Sequence, residues 1–124
     1  MEDNDTSLNY LEQHFNPRES VPNFNEYLEE TFKKSEKANL ILNGFRDIKY
    51  GNGNLQTLDI FEEKKSSIQP IHIFIHGGYW RALDKNYHYH MALTFNNNNI
   101  NFCNLNYDLC PNVTLSNICE QMVE

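Results

Sequence analysis

The sequence predicts an α/β fold built on a short parallel sheet. The first observation is the apolar, β-branched run over residues 70–76, which ends abruptly at a pair of glycines and is typical of a strand buried on both faces. The second is a helical pattern followed by another strand-like run at 100–106, because a strand, a helix and a strand in succession form a right-handed parallel crossover unit. The third is an upstream pair of strand-like runs with a glycine-rich turn between them.

The first 22 residues are polar and contain two prolines. Pro17 and Pro22 exclude the interior of a helix, so residues 1–22 are predicted to form an extended arm, and the folded core is predicted to begin at residue 23. From Asn25 onwards the apolar residues recur at helical spacing, with Glu side chains early and Lys side chains late, which suits the helix dipole. This pattern predicts a surface helix over residues 25–38.

An antiparallel hairpin is predicted next. Apolar and polar residues alternate over 45–50 and over 55–61, and the turn Gly51-Asn52-Gly53-Asn54 separates the two runs. A polar stretch then leads to the apolar strand at 70–76.

A helix and a further strand complete the predicted crossover. Asp84 is a candidate cap for a helix in which Tyr87 and Met91 lie on one face, and the asparagine tract 96–99 is expected to end that helix. Strand 100–106 follows, and another helical pattern begins at Thr114.

The charge balance excludes several classes of partner. The chain has 124 residues, with 17 acidic and 10 basic side chains and a net charge of −7, which fits one small domain. A negative field without a Lys or Arg cluster repels phosphate backbones and anionic lipid surfaces. No apolar run approaches the ~18 residues of a membrane span, and the acidic N-terminus is unlike a signal peptide. We therefore expect a cytoplasmic protein with no nucleic-acid or membrane partner.

Gly77 and Gly78, directly after the predicted buried strand, carry the most chemical information. Because glycine has no Cβ, the backbone amides of such a turn can point into a cleft. N–H donors aimed at a tetrahedral intermediate stabilise its oxyanion by roughly 3–4 kcal/mol each. The pattern therefore indicates an oxyanion hole for acyl transfer, and on these two residues alone a simple tight turn remains the alternative.

A longer stretch of the sequence resembles a known family. The string His76-Gly77-Gly78-Tyr79-Trp80-Arg81-Ala82-Leu83-Asp84-Lys85 is similar to the oxyanion loop of α/β-hydrolases, and specifically of the arylformamidase (kynurenine formamidase) branch. Three further segments agree with the N-terminal arm, the second strand and the end of the fourth strand of that branch. They are Asn16-Pro17-Arg18 with Ser20-Val21-Pro22, Leu58-Asp59-Ile60-Phe61, and Asn106-Tyr107-Asp108-Leu109-Cys110-Pro111.

The resemblance implies a role for each loop residue. The N–H groups of Gly78 and Tyr79 would donate to the oxyanion, while Gly77 would allow the turn and His76 would hold the loop by hydrogen bonding. Tyr79 and Trp80 would line a pocket for an aromatic formamide or ester substrate. The implied reaction is hydrolysis of N-formylkynurenine to kynurenine and formate in tryptophan catabolism, with a Ser-Asp-His triad and no cofactor. A homodimer of the full-length form is a further expectation.

The triad is where the sequence departs from the family. The nucleophile elbow needs G-x-S-x-G on a strained turn, but no glycine follows Gly78, and Ser116 lies at a predicted helix start. In the family the nucleophile, acid and base follow later in the chain. We therefore expect residues 1–124 to be the N-terminal part of an α/β-hydrolase domain whose C-terminal half is absent, with arm 1–22 and the start of the core at 23–124, and to be inactive alone.

Other functions stay open at this point. The chain could belong to a general carboxylesterase or lipase-like hydrolase, or be a noncatalytic or split-hydrolase fragment that acts through a partner chain. No metal site is predicted, because His88 and His90 are two residues apart, whereas metal pairs on helices favour i, i+4 spacing. Asp108 is predicted to anchor a loop rather than to act as the catalytic acid.

Overall fold

The computed structural model describes residues 8–62 and 68–123. The chain divides into two compact units, one up to Thr31 and one from Phe32 onwards. The elements in chain order are α1 (Leu8–Phe15), α2 (Pro17–Ser20), α3 (Phe24–Asn39), β1 (Gly44–Lys49), β2 (Thr57–Phe61), β3 (Ile71–Ile75), the 3-10 helix Lys85–Tyr87, α4 (Tyr89–Asn97), β4 (Asn101–Leu105) and α5 (Leu115–Gln121).

The predicted extended arm is wrong for residues 8–15 and 17–20, which are helical. Pro17 occupies the first turn of α2, where its missing N–H is tolerated because the first N–H groups of a helix have no acceptor within it. Asn16 caps α2, since its side chain accepts a hydrogen bond from the N–H of Arg18 at 3.1 Å. Residues 1–7 of the predicted arm lie outside the described residues.

The four strands form one mixed sheet in the order β1-β2-β4-β3. β1 is antiparallel to β2, β2 is antiparallel to β4, and β3 is parallel to β4. The predicted hairpin and the predicted crossover are therefore confirmed. The predicted helix at 25–38 is found as α3, and the helix expected at Asp84 begins as a 3-10 helix and continues as α4, which ends within the asparagine tract.

One face of the sheet carries the hydrophobic core. Phe61 of β2 and Phe102 of β4 are register partners and are fully buried. They cluster with residues from the end of α3, the following turn and α4, namely Ala38, Leu42, Tyr89 and Ala92. The crossover helix α4 therefore covers this face of the sheet and contacts β4.

The prediction that β3 is buried on both faces is wrong. Phe74 packs against the core, but Ile71, Ile73 and Ile75 on the opposite face are 49%, 58% and 51% exposed. β3 is the last strand of the sheet order, and α4 contacts the other face. The apolar run reflects a strand suited to cover on both sides, whereas the described residues cover only one.

Candidate active site

The loop between His76 and Asp84, residues 77–83, leaves the C-terminal end of β3 in a tight, left-handed turn. Gly78, Tyr79 and Trp80 have φ values of 119°, 53° and 56°. A Cβ at Gly78 would lie 2.1 Å from the carbonyl oxygen of Ala82, whereas a Cβ at Gly77 would meet no described atom within 4 Å. The turn depends on Gly78, because only glycine fits there, and the turn-forming role expected of Gly77 stays a prediction.

The loop borders an open depression of about 320 Å³. Tyr79 and Trp80 are 72% and 50% exposed, and their rings are perpendicular with centroids 6.5 Å apart. In the described part of the chain, no group accepts a hydrogen bond from the N–H of Gly78 or Tyr79. Two donors and two aromatic rings are therefore available to a ligand on one short segment. The residues that line the depression are His76, Gly77, Gly78, Tyr79, Trp80 and Tyr107.

His76 holds the start of the loop. Its ring stacks on that of Tyr107 with centroids 4.5 Å apart. The Tyr107 hydroxyl donates to the carbonyl oxygen of His76 at 2.7 Å. Because His76 is almost fully buried, these contacts fix where the loop leaves the sheet. The role of His76 as the support of an oxyanion loop stays a prediction.

His88 lies behind His76, at the start of α4. The two rings are nearly parallel with centroids 6.1 Å apart, and His88 also contacts the ring of Phe74. Burial, together with the nearby imidazoles of His76 and His90, lowers the pKa of His88 to about 4. His88 is therefore neutral at physiological pH and acts as part of the packing beneath the loop.

Lys85 fixes the other end of the loop through a buried ion pair. Its Nζ donates to Asp59 at 2.5 Å and to Asp47 at 2.7 Å, and Lys85 and Asp59 are almost completely buried. Asn104 donates to the carbonyl oxygen of Lys85 at 2.8 Å. A buried ammonium needs such partners, since an unpaired charge is costly inside a protein. No role for Lys85 or Asp59 was predicted from the sequence, although an Asp inside an apolar strand is a signal that some cation pairs with it.

Asp108 anchors a loop, as predicted. Its two carboxylate oxygens accept from the N–H of Leu55 and from the side chain of Gln121, both at 2.8 Å. A Cβ at Gly53 would lie 2.2 Å from this carboxylate. The carboxylate is thus committed to the hairpin turn and to α5. Ser116 is exposed near the start of α5.

Two further observations concern partners. Among residues 8–62 and 68–123, no three His, Cys, Asp or Glu side chains gather in a way that could hold a metal ion. Over the same ranges, every helix is too short or too polar to cross a membrane.

Sequence comparison relates the chain to kynurenine formamidases. It is 32% identical over 75 residues to the kynurenine formamidase of Drosophila melanogaster, which is 60% of this chain and 25% of that protein. It is 28% identical over 78 residues to that of Salmo salar, which is 62% of this chain and 26% of that protein. The chain thus spans about a quarter of the length of these relatives. No family model matches it.

Solved structures show the same fold. A protein from a Silicibacter species, proposed to be a thioesterase, superposes with a TM-score of 0.78 and 25% identity over 90% of this chain and 43% of that one. Esterase B from Lactobacillus rhamnosis superposes with a TM-score of 0.60 and 18% identity over 79% of this chain and 34% of that one.

These similarities define the class of protein to which the fold belongs. The described strands and helices correspond to part of an α/β-hydrolase fold. Within that class the chain is arylformamidase-like, because the curated proteins that it resembles in sequence are kynurenine formamidases.

Proposed function

We propose that this chain provides the oxyanion-binding loop of an arylformamidase-type hydrolase, which converts N-formylkynurenine and water to kynurenine and formate. The observation that carries the proposal is the loop after β3, where the N–H groups of Gly78 and Tyr79 stand beside two exposed aromatic rings. The formyl oxygen becomes negative in the tetrahedral intermediate and would accept from both N–H groups. The rings of Tyr79 and Trp80 would contact the aromatic ring of the substrate. The similarity to kynurenine formamidases supports this substrate class.

Ligand binding tests the proposal directly, because Trp80 is the single tryptophan of the chain. Its fluorescence reports on the loop, so formanilide, an aromatic formamide, should change the emission saturably, and N-formylkynurenine should compete. N-methylformamide, which lacks the ring, is the matched control ligand. Gly78→Ala should abolish binding, since the added Cβ would collide with the Ala82 carbonyl oxygen. An emission that formanilide leaves unchanged, or that both formamides change equally, would refute the proposal.

Turnover is a separate question. The sequence contains no G-x-S-x-G elbow, so we expect these 124 residues to bind the substrate without hydrolysing it. The measurements are the release of formate from formanilide and the release of nitrophenolate from a nitrophenyl ester. Hydrolysis that a serine-directed inhibitor stops would overturn this expectation.

A general esterase is the second candidate, because esterase B shares the fold. The two candidates differ in the acyl group and the leaving group that the site accepts. Phenyl acetate matches formanilide in its ring and differs in these groups. If phenyl acetate binds more tightly than formanilide in the Trp80 titration, the esterase function is favoured.

A noncatalytic or split role has its own supporting observation, which is the exposed face of β3 formed by Ile71, Ile73 and Ile75. Apolar surface of this kind commonly marks a contact with another chain. This role predicts self-association or strong binding of an apolar dye by the purified chain. A folded monomer that binds no dye would exclude it.

A further inference from the structure

One buried side chain is bonded to both ends of the loop. The Oδ1 of Asn106 lies 2.9 Å from Nε2 of His76, the residue before the loop. Its Nδ2 donates to Oδ2 of Asp84, the residue that follows the loop, at 2.8 Å. Asn106 therefore joins two residues that lie eight positions apart in sequence and enclose Gly78 and Tyr79.

Asn106 is itself held rigidly. It follows β4 directly and is 3% exposed. Its backbone N–H donates to the carbonyl oxygen of Thr57 at 2.9 Å, and its carbonyl oxygen accepts from the Tyr50 hydroxyl at 2.5 Å. The hairpin thus fixes the backbone from which the amide side chain reaches the loop.

The chemistry of the amide explains why asparagine suits this position. The Asp84 carboxylate is an acceptor, so the NH₂ group of Asn106 must face it, and the amide oxygen must then face the N–H of His76. A carboxylate of the same shape would place two like charges together and leave Asp84 without its donor. One donor and one acceptor on a planar group are both required.

The interior of the loop depends on these two ends. The Arg81 N–H donates to the carbonyl oxygen of Gly78 at 3.1 Å, and the Cys110 N–H donates to that of Trp80 at 2.8 Å. The first bond shapes the turn, and the second ties it to the segment that follows β4, while the two ends of the loop are bonded at His76 and Asp84.

We propose that Asn106 is the positioning residue of the oxyanion loop, clamping both loop ends so that the Gly78 and Tyr79 N–H groups keep one orientation. The relevance to oxyanion binding rests on the proposed function. The clamp itself is a property of the ligand-free chain, so it can be tested without a ligand.

The test exchanges the two partners. Asn106→Asp should displace the loop by charge repulsion, whereas the double variant Asn106→Asp/Asp84→Asn should restore it. In the double variant the new amide at position 84 donates to the new carboxylate at position 106, which still accepts from His76. Asn101→Asp, the same substitution at the first residue of β4, is the matched control.

The readout is ¹H–¹⁵N NMR of the whole chain. In Asn106→Asp, amide exchange at Arg81 and Cys110 should accelerate by about tenfold, and the Gly78 and Tyr79 signals should shift. The double variant should return both to wild-type values, and Asn101→Asp should leave them unchanged. An asparagine whose role did not depend on its bond to Asp84 would not be rescued by swapping the two residues.

Two results would overturn the clamp. One is wild-type exchange and shifts in Asn106→Asp, and the other is a double variant whose loop is as disturbed as that of the single variant. If Asn106→Asp does not fold, the double variant and Asp84→Ala decide the question by the same signals. Asp84→Ala removes the bond to Asn106 and the cap on the Asn86 N–H but keeps the contact between Asn106 and His76. A failed Trp80 titration would refute the proposed function while leaving the clamp result intact.

Discussion

The two faces of the sheet contrast in an unexpected way. The face beneath α4 buries two phenylalanines together with charged and amide groups, Asp59, Lys85 and Asn104. The other face leaves the isoleucines of β3 about half exposed. Whether a side chain of these two faces is buried therefore depends on the groups that contact it rather than on its polarity. A charge is buried where a counter-charge meets it, and an isoleucine stays exposed where no described element covers it.

The largest effect should come from removing a ring from the covered face. Phe102 is fully buried and contacts the rings of Phe95 and Phe74. Phe102→Ala should lower the free energy of unfolding by about 4 kcal/mol, because it removes apolar contacts and leaves a cavity. Urea denaturation followed by circular dichroism measures this value. A loss below about 1 kcal/mol would mean that the aromatic cluster does not carry the stability of the sheet.

The next effect concerns the buried charge on the same face. Lys85→Met should destabilise the chain by about 3 kcal/mol, because it leaves the Asp59 carboxylate buried without its cation. Adding Asp59→Leu should recover most of that loss, since an apolar pair of similar volume can replace a buried ion pair. If the second substitution adds to the loss instead, the pair does not act as a unit.

Acid should weaken the covered face specifically. Burial lowers the pKa of His88 from 6.5 to about 4, so between these values the unfolded chain binds a proton that the folded chain does not. The stability is fully present above pH 6.5 and is lost as the pH falls towards 4. We expect the Tm of the wild type to fall across this range more steeply than that of His88→Gln. Parallel pH profiles for the two proteins would contradict the assignment.

The smallest effect is expected on the exposed face. Ile73 is 58% exposed, so Ile73→Ala should cost less than about 1 kcal/mol and should reduce binding of an apolar dye. The matched comparison is Phe102→Ala, on the covered side of the neighbouring strand. A loss for Ile73→Ala as large as that for Phe102→Ala would show that this face is covered in solution, and dependence of the Tm on protein concentration would then identify a second copy as the cover.

The order of elements could be predicted from the sequence because each is signalled locally. The alternation of the hairpin and the spacing in α3 are local patterns, and the loop residues from His76 to Trp80 are contiguous. α1 and α2 were missed because Pro17 was interpreted as a helix breaker, although a proline is favoured in the first turn of a helix.

Position within the sheet was not predictable in the same way. An apolar run does not indicate whether its strand is central or at an edge. The exposure of β3 could be explained only from the strand order, in which β3 is last. The groups that brace the loop were also hidden, because Asp59 on β2 and Asn106 directly after β4 are distant in sequence from His76. The pairing of β4 with β2 and with β3 brings them to the loop. The oxyanion role of Gly78 and Tyr79 and the substrate contacts of Trp80 stay predictions.

The contacts of Asp108 determine when one hairpin turn can complete its hydrogen bonds during synthesis. Its carboxylate bonds to Leu55, which is 53 positions earlier, and to Gln121, which is 13 positions later. Because a ribosome adds residues from the N-terminus onwards, the hairpin turn emerges long before the carboxylate and the amide that complete its bonding. The turn therefore reaches its final hydrogen bonding only after Gln121 in α5 has been synthesised.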